Sequence, residues 1–217
     1  MSTMTKTVSN QTAKENKSAK RSKSVRMMVQ IALLSAVAGV LMLVEFPLPF
    51  IAPSFYELDF SEVPVLIGAF AMGPAAGAMI ELIKILLNFV MNGTITAGVG
   101  ELANFLMGCA FVVPAGLIYR AKKDKKHALR GMIVGTISMA LVSAVLNSMV
   151  LLPAYGKAFG MPFDTFVAMG SAIIPAIDSL FTFCLFSVVP FNLLKGIVVS
   201  ALTFVLYKRI SRLLKGN

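Results

Sequence analysis

Two polar residues near the start of the last apolar segment have the types and spacing of a ligand-binding pair. Asn192 and Lys195 lie in the stretch 190–196, PFNLLKG, and are three residues apart. On a helix this spacing places both side chains on one face. The amide has two donors and an acceptor, and the ammonium has three donors and a charge, so together they can bind a polar small molecule. The alternative is that Lys195 snorkels to the membrane surface while Asn192 only packs or caps.

A second polar group lies in an earlier apolar segment. Glu81, Lys84 and Asn88 follow one another at i, i+3 and i+7, so they share one face of a helix. Pairing Glu81 with Lys84 lowers the cost of burying both charges. We predict a structural ion pair here, with a direct ligand contact by these two residues as the alternative.

An acidic and aromatic stretch, residues 55–62, follows a proline-rich loop. Tyr56, Leu58 and Phe60 alternate in it with charged or polar residues. The three prolines before it break any helix. The stretch can fold over a pocket as a lid, or it can anchor the chain at the membrane interface through its aromatic side chains.

The composition assigns these residues to an integral membrane protein. Of the 217 residues 57% are hydrophobic and 14% are charged, and the mean hydropathy is +0.82. A soluble domain carries about 25% charged residues. The chain is therefore all-α, because helices are the usual way for apolar segments of this length to cross a bilayer.

Most of the cations lie in three clusters that flank the apolar segments. Of the 20 lysines and arginines, 17 fall in residues 6–26, 120–130 and 208–215. The positive-inside rule places all three clusters in the cytoplasm. The net charge of +10 therefore indicates membrane orientation, and nucleic-acid binding is not predicted.

Six membrane spans with both termini in the cytoplasm satisfy this charge pattern. The predicted spans are residues 27–44, 63–72, 75–91, 101–119, 131–152 and 190–207. Residues 153–187 are predicted as an outer loop with a helical hairpin or a re-entrant piece. The predicted organisation is a disordered basic tail over residues 1–26, a membrane domain over 27–210 and a basic C-terminal tail over 211–217.

Under this topology the polar side chains of three spans converge on the outer side. Asn104, Asn147, Asn192 and Lys195 lie in the outer halves of their spans, and the loop that begins at Tyr155 lies above them. This arrangement predicts an outward-facing pocket for a small molecule with several hydrogen-bonding edges.

Sequence motifs for catalysis or ATP use are missing from the chain. It has no G-x-x-x-x-G-K-[ST], H-E-x-x-H or G-x-S-x-G motif. His127 is the single histidine, and the two cysteines, Cys109 and Cys184, lie in apolar segments where a small buried hydrophobe is the expected role. We predict a binding protein that is not an enzyme, has no metal site and no cofactor, and depends on partners for energy.

Seven segments of the chain resemble the substrate-binding S components of energy-coupling factor transporters, specifically the riboflavin type. They span residues 27–210 in the family's order and spacing, and PFNLLKG is the most diagnostic. The segments are EFPLPF (45–50), LDFSEVP (58–64), GPAAG (73–77), ELIKILLN (81–88), ANFLMG (103–108), LN (146–147) with LPAY (152–155), and PFNLLKG (190–196).

The resemblance implies six helices in the bacterial plasma membrane and riboflavin bound from outside as the transported ligand. It also implies a shared transmembrane coupling subunit driven by two ATPases, on which the Ala-x-x-x-Ala face formed by Ala32 and Ala36 docks. The candidate substrate-binding residues are Asn192, Lys195, Asn147, Asn104, Tyr56, Leu58, Phe60, Tyr155, Glu81 and Lys84. Because the chain has no Trp, an aromatic ligand partner must be Tyr or Phe.

Three other functions compete with riboflavin capture. The first is an S component for another vitamin. The second is a membrane scaffold or regulatory subunit whose buried polar residues only join helices. The third is an intramembrane enzyme that uses Glu81 and Lys84. A flavin bound to the purified protein distinguishes riboflavin capture from all three.

Overall fold

A computed structural model describes residues 2–94 and 97–215, with side-chain surroundings for residues 21–94 and 97–207. It is a helical bundle with one two-stranded hairpin, in which Phe46 pairs with Leu58. The elements are α1 (Ser2–Met42), β1 (Phe46–Pro47), β2 (Glu57–Leu58), α2 (Glu62–Met72), α3 (Pro74–Asn92), α4 (Val99–Ala121), α5 (Lys125–Leu146), α6 (Leu152–Phe159), α7 (Phe163–Ser171), α8 (Leu180–Phe183) and α9 (Val189–Lys215).

Five helical stretches in the described part of the chain are long and apolar enough to cross a membrane. They are Arg21–Met42, Pro74–Asn92, Val99–Ala121, Lys125–Phe159 and Leu180–Tyr207. The apolar helix α2 has only 11 residues, and it becomes the sixth span if the bilayer includes it. The helical membrane fold agrees with the sequence, whereas the six-span count and the cytoplasmic position of the termini stay predictions.

Helix α2 is short because protein surrounds it. Residues 62–70 are buried, so the bundle and not lipid covers this segment. A tight turn joins it to α3, where Gly73 has a φ of 107° and Pro74 occupies the first turn of α3. Glycine adopts this φ without strain, and proline is tolerated at a helix start. The predicted turn at residues 73–74 is confirmed.

The predictions for the fifth and last spans were wrong at their outer ends. Helix α5 continues through a π-helical turn, Asn147–Leu151, into α6, and α8 continues through a π-helical turn, Cys184–Val188, into α9. Each π turn ends two residues before a proline, Pro153 or Pro190. Proline clashes with the carbonyl four residues earlier, and the wider π turn accommodates it without ending the helix. Prolines that indicated helix ends therefore lie inside continuous helices.

The region between these helices also differs from a simple loop. Helix α7 (Phe163–Ser171) packs there, and Phe166 is buried in a cluster with Leu152 and Phe183. This cluster agrees with the predicted helical piece in residues 153–187.

Helix α1 includes residues 2–26, where the sequence predicts disorder. The chain is continuous helix from this basic segment into the first apolar span. Strong helix formers such as Ala, Lys and Gln in residues 11–20 favour that extension. The division into a tail, a membrane domain and a C-terminal tail remains a prediction.

Close contact between α4 and α5 holds the centre of the bundle. A Cβ placed on Gly135 would lie 2.3 Å from the carbonyl oxygen of Phe111. Only glycine permits this approach, which is how small residues bring membrane helices together. Phe111, Val112 and Met132 are buried beside it in the main apolar core.

Candidate ligand-binding site

A polar cavity of about 320 Å³ opens at one end of the bundle. Its walls come from α1 to α6, the π-helical turn between α5 and α6, α9, and the loop formed by residues 43–61, which we name the cavity loop. Four aromatic side chains line it: Phe55, Tyr56, Tyr155 and Phe191. A volume of this size suits a small-molecule ligand.

Six of the ten predicted substrate-binding residues line this cavity. They are Asn104, Asn147, Asn192, Lys195, Tyr56 and Tyr155. The helices α4, α5 and α9 bring the three asparagines together from positions far apart in the sequence. The side chains predicted to converge therefore do so.

Asn147 lies at the start of the π turn that follows α5. Its Nδ2 donates to the carbonyl oxygen of Ser143 at 2.8 Å, and its Oδ1 accepts a hydrogen bond from the Tyr56 hydroxyl. Helix α5, through Ser143, and the cavity loop, through Tyr56, thus fix the amide from both sides. Such turns inside α-helices are frequent at functional sites.

Asn192 and Lys195 share one face of α9, as their spacing predicts. Asn192 Nδ2 donates to the carbonyl oxygen of Val188 at 2.9 Å, which leaves one amide N–H and Oδ1 for other partners. Lys195 Nζ lies 2.7 Å from Asp59 Oδ2, and Lys195 is 9% exposed. Lys195 therefore points into the protein and does not snorkel to the membrane surface.

Leu58 and Phe60, both predicted to contact the ligand, are not among the residues that line the cavity in the described structure. Leu58 is buried with Ala52 and Phe191, and Phe60 packs against the main core. In an extended segment alternate residues face opposite sides. The odd-numbered Glu57 and Asp59 face the cavity, so the two apolar residues instead hold the cavity loop to the bundle.

Glu81 and Lys84 also lie outside the cavity lining of the described structure. Lys84 Nζ is 2.7 Å from Glu81 Oε1 and 2.7 Å from Glu62 Oε1. The predicted Glu81–Lys84 pair is thus present, and the structure adds Glu62 as a second carboxyl partner. The two residues belong to a buried cluster of charges, and their predicted contact with the ligand stays a prediction.

The cavity is strongly acidic. Five carboxyl groups and one ammonium, that of Lys195, line it among the described residues; the acids are Glu45, Glu57, Asp59, Glu62 and Glu101. Burial and a hydrogen bond with Glu57 raise the pKa of Glu45 to about 8, so Glu45 keeps its proton at neutral pH. The remaining negative charge disfavours an anionic ligand and suits a neutral one that donates hydrogen bonds.

Sequence reasoning missed the acidic members of this site as individual contacts. Asp59 and Glu62 lie in the segment that the sequence predicts as a possible lid. Two acids three residues apart, next to an apolar helix, were the feature of the sequence that could have identified them as site residues. Asn88 lines the cavity as well, one turn beyond Lys84. Helical spacing alone pointed to Glu81 and Lys84 as candidate contacts, because the sequence does not show which helices or loops lie opposite each residue.

No group of three His, Cys, Asp or Glu residues in the described part of the chain is placed to hold a metal ion. Cys109 and Cys184 are free thiols. The side chains present are hydrogen-bonding groups and aromatic rings, an arrangement that can bind and orient a neutral planar molecule.

Comparison with known proteins gives consistent results. Residues 26–207 match a family model described as "ECF transporter, substrate-specific component". The chain is similar to "Riboflavin transporter RibU" of Staphylococcus aureus (strain TCH60), with 37% identity over 88% of this chain and 93% of that protein. It is similar to "Riboflavin transporter FmnP" of Bacillus subtilis (strain 168), with 30% identity over 86% of this chain and 92% of that protein.

A solved structure described as the S component of a bacterial ECF transporter has the same fold. Its TM-score is 0.69 at 37% identity, covering 88% of this chain and 99% of that chain. The chain therefore belongs to the family of substrate-specific components of ECF transporters.

Proposed function

We propose that this protein captures riboflavin from outside the cell and delivers it for ATP-driven uptake by a transmembrane coupling subunit and two ATPases. The observation that carries the proposal is the set of groups that line the cavity, where four asparagines and Lys195 meet four aromatic rings and can bind a neutral ligand. The two relatives at 37% and 30% identity carry riboflavin transporter in their names.

Riboflavin fits this set of groups chemically. Its flat isoalloxazine has carbonyl and ring-nitrogen edges, and its ribityl chain has several hydroxyls. The free N–H and Oδ1 of Asn192 suit a ring carbonyl beside a ring N–H. Tyr and Phe rings supply the aromatic surface against which the isoalloxazine packs.

Replacing Asn192 with alanine should weaken riboflavin binding. Loss of a partner in a buried hydrogen bond costs about 1–3 kcal/mol, which corresponds to roughly one to two orders of magnitude in affinity. Isothermal titration of the purified protein with riboflavin measures the change. Ser148→Ala is the control, because Ser148 is only half-buried and does not line the cavity in the described structure.

A wild-type protein that binds no riboflavin in this titration, and releases no flavin on denaturation, would contradict the proposed function. Wild-type affinity in the Asn192→Ala protein would instead contradict only the role of Asn192. Mass analysis of the compound released from freshly purified protein identifies a different vitamin if one is bound.

We propose that the coupling subunit docks on the face of α1 that bears Ala32 and Ala36. Both alanines are exposed, whereas Ser35 and Ala38 of the same helix are fully buried. Small exposed residues four apart allow another membrane helix to approach closely. This face is separate from the cavity.

Replacing both Ala32 and Ala36 with leucine should leave riboflavin affinity within about twofold and lower uptake by cells about tenfold, because bulky side chains prevent close helix contact. Ala201→Leu, at an exposed alanine of α9, is the control and should leave uptake unchanged. Co-purification of the coupling subunit provides the second measurement. Lost riboflavin binding with intact assembly would show that the two alanines serve the ligand site.

A further inference from the structure

The buried cluster beneath the cavity contains two carboxyls and a single ammonium. Lys84 Nζ lies 2.7 Å from Glu62 Oε1 and 2.7 Å from Glu81 Oε1, and the three side chains are at most 2% exposed. With both acids ionised the cluster carries one net negative charge. Charged groups at this depth are costly and usually have a functional reason.

The two acids differ in what surrounds them. Glu62, the first residue of α2, lines the cavity, whereas Glu81 of α3 does not in the described structure. Both acids lie beside Gly108 of α4, where an added Cβ would lie 2.2 Å from Glu81 Oε1 and 3.1 Å from Glu62 Oε1. Because only Glu62 of the two also lines the cavity in the described structure, Glu62 is the acid of the cluster that faces it.

Glu62 also keeps a carboxylate oxygen without a partner. Its Oε1 accepts a hydrogen bond from Lys84 at 2.7 Å, but its Oε2 is buried and accepts none. Among the described residues, the buried side chains that have such an atom are Ser35, Glu62, Glu81, Ser200 and Thr203. Of these five, Glu62 alone lines the cavity.

Lys84 contacts the two acids in different ways. Glu81 Oε1 is within ion-pair distance of Lys84 Nζ, yet it is not aligned for a hydrogen bond. The hydrogen bond of Lys84 goes to Glu62 Oε1, so one carboxylate oxygen of Glu62 is occupied and the other is left for a further donor.

We propose that Glu62 is a ligand-binding residue whose Oε2 accepts a hydrogen bond from an N–H or O–H group of the bound flavin. This inference rests on the proposed function. An ionised carboxylate only accepts hydrogen bonds, so the ligand must provide the donor. A buried acceptor without a partner is unfavourable, and a ligand donor removes that cost on binding.

The same geometry defines the chemical class of the ligand. Riboflavin has two kinds of donor, the ring N–H and the ribityl hydroxyls, and it is neutral. Hydrogen bonds to ionised acceptors are shorter and stronger than those between neutral groups. Glu62 therefore selects for a neutral ligand with a donor at this depth and against one that presents an anion or only acceptors there.

The test compares Glu62→Gln with Glu81→Gln by titration of the purified full-length protein with riboflavin. The two substitutions remove the same charge from the same cluster, and only Glu62 faces the cavity. We expect Glu62→Gln to weaken riboflavin binding about tenfold, the difference between a charged and a neutral acceptor. Glu81→Gln should stay within about threefold of wild type.

Two analogues identify the ligand donor. Lumiflavin lacks the ribityl hydroxyls, and riboflavin methylated at the ring N–H lacks the ring donor. The loss caused by Glu62→Gln should disappear for the analogue that lacks the contacted group and persist for the other. A merely structural role for Glu62 would produce the same loss with all three ligands.

Equal losses in Glu62→Gln and Glu81→Gln, or one loss for all three ligands, would overturn the assignment of Glu62 as a contact while leaving riboflavin capture intact. A wild-type protein that binds none of the three flavins would overturn the proposed function and this inference with it. A thermal melt of each variant accompanies the titrations, so that an unfolded sample is not counted as a loss of affinity.

Discussion

Replacing Lys195 with methionine is expected to abolish measurable riboflavin binding and to destabilise the protein by about 3–5 kcal/mol, the usual cost of breaking a buried ion pair. Lys195 Nζ lies 2.7 Å from Asp59 Oδ2, and the Asp59 side chain is 4% exposed. Methionine preserves most of the side-chain volume but leaves the Asp59 carboxylate buried without a counter-charge. The loss therefore comes from the unpaired charge and not from a cavity.

The double variant Asp59→Asn with Lys195→Met separates stability from binding. It removes both charges, and replacing a whole buried pair by neutral groups is often close to neutral in stability. We expect thermal stability to recover while riboflavin binding stays lost. Lys195→Arg should not restore binding, since a planar guanidinium places its donors differently. Wild-type affinity in Lys195→Met would show that the ligand site lies elsewhere.

The pH dependence of stability follows from the same pair. Burial alone raises the pKa of Asp59, but the Lys195 and Lys84 ammonium groups outweigh it and hold the pKa at about 2, below the ordinary 3.8. A lowered pKa means that the carboxylate stabilises the fold at pH values above 3.8. That contribution is lost as the pH falls toward 2, and it is constant across the physiological range. Melting temperatures measured against pH should show this step in wild type and lack it in the double variant.

Replacing Lys84 with methionine is expected to have a comparable effect on stability. The change leaves Glu62 and Glu81 buried without their shared partner, and the loss of one member of such a group costs about 3–5 kcal/mol. For a chain of this size that corresponds to a fall of about 6–20 °C in the melting temperature. Circular dichroism or a thiol-reactive melt in detergent measures the change.

Two variants distinguish lost pairing from a general effect of removing lysine. Lys126→Met, at an exposed position in the first turn of α5, should change stability by less than about 0.5 kcal/mol. The triple variant Glu62→Gln, Lys84→Met and Glu81→Gln carries no charge in the cluster and should regain most of the lost stability. An unaltered melting temperature in Lys84→Met would mean that both carboxyls are protonated in the native protein.

Several features of this protein follow from local sequence. Apolar length and clustered cations are enough to define a helical membrane protein, because burying a helix in lipid depends on composition more than on specific partners. Gly73 and Pro74 mark the turn between α2 and α3 through their backbone preferences. The three-residue spacing of Asn192 and Lys195, and of Glu81 and Lys84, places each pair on one helix face, and the structure retains both arrangements.

The partners across the bundle depend on packing and have no local signal. Asp59 pairs with Lys195 across 136 residues, and Glu62 pairs with Lys84 across 22. Both pairings exist because other helices enclose α2. This packing turns Glu62, the first residue of α2, and Asp59, near the end of the cavity loop, toward the cavity. The same enclosure makes an 11-residue helix stable beside five apolar helical stretches that are long enough to cross a membrane.

The positions of the helix ends also depend partly on local sequence and partly on tertiary packing. Pro153 and Pro190 indicate boundaries by their backbone chemistry, yet both lie within continuous helices because a π turn before each one absorbs the clash. A π turn is stable only where tertiary contacts hold it, and here Asn147 and Ser187 contact the cavity loop through Tyr56 and Ile51. Residue type and spacing therefore determined which groups are available for binding, whereas the packing of α2 and the cavity loop determined which of them face the ligand.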